Sequence, residues 1–374
     1  MTSVLTEDQF LLVEAVRDFA RAELPERDAA WDRDESSCCV ELDALYDMGI
    51  MGLRVPESAG GIGCGMAPYA HIIRELSYAS ASVGVTVSVH NMVAELIGAH
   101  GSADVKAEIL PSLAQPGNLA AFAISEPNAG SDPGSAQSKA EETSDGWRLS
   151  GSKMWVTNGM TGKWFVVLAR ESNGELSMFL MDAEQAGVTR QPIHGKMGIR
   201  GSETAEMALD GAFVPRNRRM GAAGEGKKVA LSTLGGGRIS IASQATGIAE
   251  AAFDLMVEYS RQREQFGRKI ASFQAIQWMI ADSHTEIAAA RALIDRAARL
   301  KDAGQSFTHM ASMAKLYASE TANRVAYRAV QAHGGYGFVN EFRVEQLYRD
   351  ARITSIYEGT SEIQRYAIAR ELLA

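Results

Sequence analysis

The chain has 374 residues, 46% of them hydrophobic, and sets 37 Lys and Arg against 46 Asp and Glu for a formal charge of −9. That length supports two or three domains with real cores, and an acidic excess without any Lys/Arg tract argues against a nucleic-acid or anionic-membrane partner. Apolar runs such as Trp164 to Ala169 fall far short of the roughly 18 residues that suggest a membrane span.

The helical pattern opens at Phe10, Val13, Val16 and Phe19, and Ile72, Ile73 and Leu76 keep one face. Two Gly/Pro stretches, Pro56 to Gly65 and Pro111 to Gly117, punctuate it. The period then changes. Trp147-Arg148-Leu149-Ser150 alternates, Trp164 to Leu168 is β-branched and aromatic, and Leu176 to Met181 is short and apolar, with hairpin signals at Asp145-Gly146 and Asn173-Gly174. All nine prolines precede Arg216, which leaves the remainder free to be helical. There Ile276, Ile280, Ile287 and Ile294 form one stripe, Met310, Met313 and Tyr317 begin another, and Gly304 breaks them into an antiparallel pair. The expected architecture is α+β: an N-terminal helical domain (1–115), a middle β domain (116–220) and a C-terminal helical bundle (221–374).

Three cysteines, Cys38, Cys39 and Cys64, have no CxxC spacing, so reduced thiols in a reducing compartment are expected. Met1 to Phe10 carries Glu7 and Asp8 and no Arg-rich or apolar leader, which predicts a bacterial cytoplasmic protein or a processed matrix form. Seven histidines include neither HExxH nor an i, i+4 pair, so no metal site is expected. The run Gly60-Gly61-Ile62-Gly63-Cys64-Gly65 does not satisfy GxGxxG, and no Walker A motif occurs.

Four segments carry chemistry. Ile356-Tyr357-Glu358-Gly359-Thr360-Ser361-Glu362-Ile363-Gln364-Arg365 sets one carboxylate in an apolar context beside a glycine, and burial there raises its basicity. Ser361 with Gln364 reads as a capping box. Ala123 to Asp132 is a strand end running into a turn rich in hydroxyls and backbone N–H groups, suited to a heterocycle edge or a phosphate. Trp155-Val156-Thr157 offers an aromatic face and a hydroxyl to a flat ring. The later helices hold Arg263-Glu264-Gln265-Phe266-Gly267 with Phe273-Gln274, and then Gln331 to Phe338, where an arginine beside a glycine break suits a pyrophosphate. Taken singly, the four also read, respectively, as a surface glutamate before a helix, a loop, a core tryptophan, and a surface ion pair or helix crossing.

In this order and spacing the segments resemble the acyl-CoA dehydrogenase family of flavoproteins over essentially the whole chain. Ala123 to Ser135 is similar to the family's first signature and Gln331 to Asp350 to its second. The resemblance implies the family fold, with a β-barrel-like middle domain, and an FAD enzyme oxidising an acyl-CoA thioester to the trans-2-enoyl-CoA. It implies that Glu358 takes the α-proton while the β-hydrogen leaves as hydride to flavin N5. The thioester oxygen is then held by the backbone N–H of the base and a flavin ribityl hydroxyl. Carried over by position, Phe122, Ile124, Ser125, Gly130 and Ser131 with Trp155, Val156 and Thr157 bind the flavin half. Arg263, Gln265, Phe266, Phe273, Gln274, Gln331, Gly334 and Gly335 hold the ADP half from a neighbouring subunit, completed by Thr360, Ser361 and Glu362. Ser131, Arg238 and Gly359 face the substrate. A homotetramer, as a dimer of dimers, and electron-transfer flavoprotein as oxidant follow from the same resemblance.

Some family members carry the base on the helix beside the arginine of Asp-x-x-Arg; here Gly237 precedes Arg238 and Glu358 is present, which favours the short- and medium-chain arrangement. The family aspartate is replaced by Gly235, and Gln346 stands where a cation is expected, read as a lost surface or structural pair. Alternatives on the same scaffold are a dehydrogenase for carrier-protein-tethered or unusual (cyclic, aromatic or branched) acyl groups, a glutaryl-type decarboxylation, an oxidase or a monooxygenase. The chain's end at Ala374, soon after the base motif, counts against oxidases with an added C-terminal domain. A flavoprotein without enzymatic activity is the alternative of a different class, against which Glu358 stands.

Overall fold

A computed structural model describes residues 5–373, so the leader-free reading of Met1 to Phe10 falls partly outside the described residues. The N-terminal part is helical: α1 (Glu7–Asp34), α2 (Asp43–Asp47), α3 (Met66–Ala79), α4 (Ala81–His100) and α5 (Ala103–Leu113). Thr6 caps α1 through the amide of Gln9, whose side chain returns to the Thr6 amide. Val13 and Val16 are buried as the spacing predicts, but Phe10 is 51% exposed, one turn outside the covered stripe. Pro111 does not end the helix before it; it lies inside α5, whose last residue is Leu113.

The middle strands are β1 (Ala120–Ala123), β2 (Lys139–Glu142), β3 (Gly146–Thr157), β4 (Trp164–Glu171), β5 (Leu176–Asp182), β6 (Val188–Pro192), β7 (Thr204–Pro215) and β8 (Arg219–Met220). They form one sheet in the order β6-β7-β3-β2-β4-β5-β8, with β1 parallel to β4. The turns at Asp145-Gly146 and Asn173-Gly174 join the antiparallel pairs β2/β3 and β4/β5. Strands β4 and β5 are buried on both faces, hence their unbroken apolar runs. On one face Trp147, Leu149, Phe165, Phe179 and Val214 make a core of their own; on the other, Val166, Leu168 and Leu180 pack with Val93, Ile97 and Val229 from the helices.

The C-terminal part is built on α6 (Gly226–Gln262), followed by the small ladder β9 (Glu264–Gln265) and β10 (Arg268–Lys269). Then come α7 (Gln274–Asp302), α8 (Thr308–His333), α9 (Val344–Ile353) and α10 (Ser361–Leu373). Gly304, with φ of +66°, turns the chain between α7 and α8. Arg263 to Phe273 is therefore not α-helical, a correction to the expectation: the segment leaves α6, pairs as a two-stranded ribbon and makes a short 3-10 turn at Ile270–Ser272 before α7 begins. Gln346 is not at the surface either. It is buried, and its Nε2 donates to the buried Asp28 carboxylate at 2.8 Å, so a neutral donor fills a structural role. Cys38, Cys39 and Cys64 are unbridged. No helix among the described residues is long and apolar enough to cross a membrane.

Candidate active site

Three consecutive glycines inside α6, Gly235, Gly236 and Gly237, set the site. Each weakens a helix interior by roughly 0.5–1 kcal/mol relative to alanine, so close packing must compensate. A Cβ on Gly237 would lie 2.5 Å from Glu358 Oε2 and 3.1 Å from Met92 Sδ, and one on Gly236 would lie 2.5 Å from Lys301 Nζ. On Gly235 it would make ordinary contact with the Phe307 ring at 3.5 Å. The bare helix face thus admits the Glu358 carboxylate against its backbone.

Glu358 projects from the loop between α9 and α10 with φ of 52°, followed by Gly359 at 91°. A left-handed glutamate is uncommon and is held only by its surroundings. Gln364, from the first turn of α10, donates through Nε2 to the carbonyls of Glu358 and Gly359 at 3.1 and 2.9 Å. Lys315 of α8 donates to the same Gly359 carbonyl at 2.7 Å. The Tyr357 hydroxyl donates to Gln244 Oε1, and Gln244 Nε2 donates to the Ala81 carbonyl at 2.8 Å, tying the loop to α6 and to the start of α4. The cap of α10 is Thr360, whose hydroxyl accepts from the Ile363 amide at 3.3 Å. This corrects the Ser361 capping box, because the Ser361 hydroxyl donates to Glu320 at 2.6 Å instead.

Glu358 Oε2 is sealed from solvent and has no hydrogen-bond partner. Burial pushes the carboxyl up to about 7, against the downward pull of Arg238 and Lys315. Arg238 is buried, donates to Ser312 Oγ at 3.0 Å and leaves its Nε unpartnered. Burial carries Lys315 the other way, down to about 8. A basic carboxylate between two buried cations, open to a bare helix face, is an arrangement for abstracting a proton.

The turn after β1 is fixed from within. Glu126 exchanges backbone hydrogen bonds with Ala129, both at 3.0 Å. Its carboxylate accepts from the Gln137 and Ser138 amides at 2.7 and 3.0 Å and from Lys153 of β3 at 2.7 Å. Burial works against ionisation, but the Lys153 hydrogen bond and these amides hold the Glu126 carboxyl below its usual range. Glu126 is therefore a fastening for the turn, and Gly130 and Ser131 are left exposed on it. Met154 donates to the Ser125 carbonyl at 2.9 Å, which seats Phe122 to Ser131 beside Trp155 to Thr157. Trp155, at φ of 61°, is 61% exposed, with its face free for a ring. Lys153→Met is expected to lower stability by about 3–5 kcal/mol, as breaking a buried pair does, which urea unfolding measures.

Arg263, Gln265, Gly334 and Gly335 line a groove of about 840 Å³ with Tyr259 and His333. Arg263 has no ion-pair partner among the described residues, and a Cβ on Gly334 or Gly335 would meet nothing within 4 Å. An unpaired guanidinium beside open backbone fits a pyrophosphate. Phe266 is 86% exposed with its ring edge-on to Phe273, and Gln274, Gln331 and Glu362 are exposed. The structure thus brings Glu358, Gly359 and Arg238 together, and separately the turn after β1 with Trp155 and the residues of this groove. Lys315 was missed as part of the site, since nothing local in its helix marks it, and Gln364, read as a capping partner, instead donates to the Glu358 and Gly359 carbonyls.

Helical ends around a β domain, with a buried carboxylate on the loop before the last helix, define a class of protein that similarity to known families identifies. The acyl-CoA dehydrogenase N-terminal, middle and C-terminal domain families match residues 6–116, 121–212 and 224–373, and the chain belongs to the acyl-CoA dehydrogenase family. The short-chain specific acyl-CoA dehydrogenase of Mus musculus mitochondria is 40% identical over 99% of this chain and 91% of its own. Butyryl-CoA dehydrogenase from Megasphaera elsdenii superposes with a TM-score of 0.96 at 37% identity, over 100% of both chains. A chain solved in work on the electron transferring flavoprotein of Acidaminococcus fermentans and flavin-based electron bifurcation gives 0.96 at 38%, over 99% of this chain and 98% of its own. The protein is an oxidoreductase of this family and its cofactor is FAD.

Proposed function

We propose that the protein oxidises a short-chain acyl-CoA between Cα and Cβ to the trans-2-enoyl-CoA, with Glu358 as the base. The observation that carries this is the unpartnered, buried Oε2 of Glu358 beside Gly237, basic enough at about 7 to take a proton near neutrality. The α-proton of a thioester is weakly acidic, so the developing negative charge on its oxygen needs donors. The backbone N–H of Glu358 makes no hydrogen bond among the described residues and serves as one. Arg238 and Lys315 favour the ionised carboxylate against its burial, and Gln364 and Lys315 hold its loop. FAD, when bound, would supply the hydride acceptor for Cβ.

The flavin half would lie against Phe122, Ile124, Ser125, Gly130, Ser131, Trp155, Val156 and Thr157. The ADP half would meet Arg263, Gln265, Phe266, Phe273, Gln274, Gln331, Gly334, Gly335 and Thr360 to Glu362 across a subunit boundary. Ser131, Arg238 and Gly359 would face the thioester. A homotetramer accords with the large apolar side chains left in water on the C-terminal part, Phe266 at 86%, Trp278 at 63% and Phe338 at 88% exposed. Electron-transfer flavoprotein as the acceptor is supported by the likeness to the chain from the Acidaminococcus fermentans work. The short-chain reading rests on the mouse and Megasphaera relatives.

Anaerobic mixing of the yellow holoprotein with butyryl-CoA is expected to bleach the flavin and yield crotonyl-CoA. A flavin that stays oxidised with butyryl-, hexanoyl- and branched acyl-CoAs alike counts against the reading.

A further inference from the structure

The glycine face of α6 is shared by a second charged group that the chemistry at Glu358 does not use. Glu95 of α4 joins Arg54 Nη2 at 2.9 Å and Lys301 Nζ at 2.7 Å, both through Oε1. Its Oε2 has only a long contact with Arg54 Nε at 3.4 Å and would lie 3.8 Å from a Cβ on Gly236. An ammonium carries three donors, and Lys301 makes one ion pair, so an acceptor oxygen and donor hydrogens remain side by side over Gly236. Neighbouring Cβ positions are at most roughly 7 Å apart, and Lys301 Nζ and Glu358 Oε2 each lie 2.5 Å from theirs. The ammonium therefore sits within roughly 12 Å of the base.

Burial fixes which side of the base this is. Along one face of α4, Val85, Val89 and Met92 are 1%, 8% and 6% exposed, and Met92 is the residue beside Glu358. The next position on that face, Glu95, has a side chain 32% exposed, with Lys301 at 16%. An alkyl tail goes to the dry valines, because packing it on partly solvated charges strips what water they keep without replacing it. The sulfur side of the thioester then passes Glu95 and Lys301. That arm of coenzyme A carries secondary amides, each with one N–H and one C=O.

We infer that Glu95 and Lys301, braced by Arg54, bind an amide of the thioester's pantetheine arm, Glu95 Oε2 accepting its N–H and Lys301 donating to its carbonyl. This rests on the proposed acyl-CoA reading. Arg54 pairs with Glu95 and also donates to the Cys64 carbonyl, so it fixes the carboxylate without facing the arm. The group is near neutral, with two cations against Glu95 and the neighbouring Asp302, whose oxygens accept from the Met66 and Ala67 amides. A neutral dipole suits it better than a second carboxylate.

The test is equilibrium binding, by calorimetry on the FAD-loaded protein, of two crotonyl thioesters: the N-acetylcysteamine ester, which has the amide, and the S-pentyl ester of similar length, which lacks it. In Glu95→Gln and in Lys301→Met the preference for the amide ester over the pentyl ester is expected to fall about tenfold relative to wild type, the effect of one hydrogen bond to a charged group. Pentyl-ester affinity is expected to stay within about twofold, as hydrogen bonding is all that is removed. An unchanged preference in both variants overturns the inference. Should Lys301→Met lose flavin or melt early, the near-isosteric Glu95→Gln decides alone. Wild type that binds neither ester, nor crotonyl-CoA, overturns the acyl-CoA reading itself, and the inference with it.

Discussion

Glu358→Gln is expected to keep its flavin and its fold and to slow anaerobic flavin reduction by acyl-CoA by at least about 10³-fold, within the range a general base supplies. The amide has the shape of the carboxyl and cannot take a proton. With Glu358 as the proposed base the ionised form is the active one, so the reduction rate is expected to rise with pH to half its plateau near pH 7 and to be flat above, following the value to which burial carries Glu358. Stopped-flow traces from pH 5 to 9 measure this. A reduction rate independent of pH over that span, or a glutamine variant as fast as wild type, would move the base elsewhere.

The same burial has a stability consequence of defined sign. Because the folded carboxyl at about 7 holds its proton more tightly than the ordinary group at 4.5, unfolding becomes easier as pH rises between those values and levels off above. The full span corresponds to at most about 3.5 kcal/mol at roughly 1.4 kcal/mol per unit. Glu358→Gln lacks this dependence. Its stability relative to wild type therefore grows from pH 4.5 to 7, offset by whatever Arg238 and Lys315 lose with their anionic neighbour, and urea unfolding at several pH values follows it.

Much of the scaffold was legible because its signals are local. Asp145-Gly146 and Asn173-Gly174 mark turns by the backbone conformations they favour, and the isoleucine stripe of α7 with Gly304 announces two helices running back to back. Glu358 stood out for the glycine beside it and its apolar flank. What stayed hidden depends on contacts distant in sequence. Lys315 reads as an ordinary helical lysine until α8 folds against the loop 44 residues on. Glu95 and Arg54 meet across 41 residues. Ser361 and Thr360 are equally good caps by type, and the choice turned on Glu320 capturing the serine hydroxyl. Arg263 to Phe273 contains helix formers, yet Phe266 and Gly267 take positive φ and turn the chain into a ribbon.

Lys315→Met is expected to move the midpoint of the reduction profile up by about one pH unit and thereby to cut the rate at pH 7 by about fivefold. The lysine is fully buried, its hydrogen bond is to the Gly359 carbonyl rather than to a carboxylate, and it pulls the Glu358 proton affinity down through space. Removing the positive charge strengthens proton binding by the base, so a smaller fraction of the carboxyl is ionised at neutrality. The lost donor also frees the loop on one side, although Gln364 still holds the same carbonyl. Lys315→Arg restores the charge and is expected to bring the midpoint back toward pH 7 with a lower plateau, since a guanidinium does not fit the space of an ammonium. The wild type has a further mark of this coupling. As the lysine itself titrates near 8, its support for the ionised base fades on the alkaline side, where the base is already deprotonated and the rate holds. A Lys315→Met profile with the wild-type midpoint and only a lower plateau would mean that the lysine positions the loop and leaves the proton affinity of Glu358 untouched.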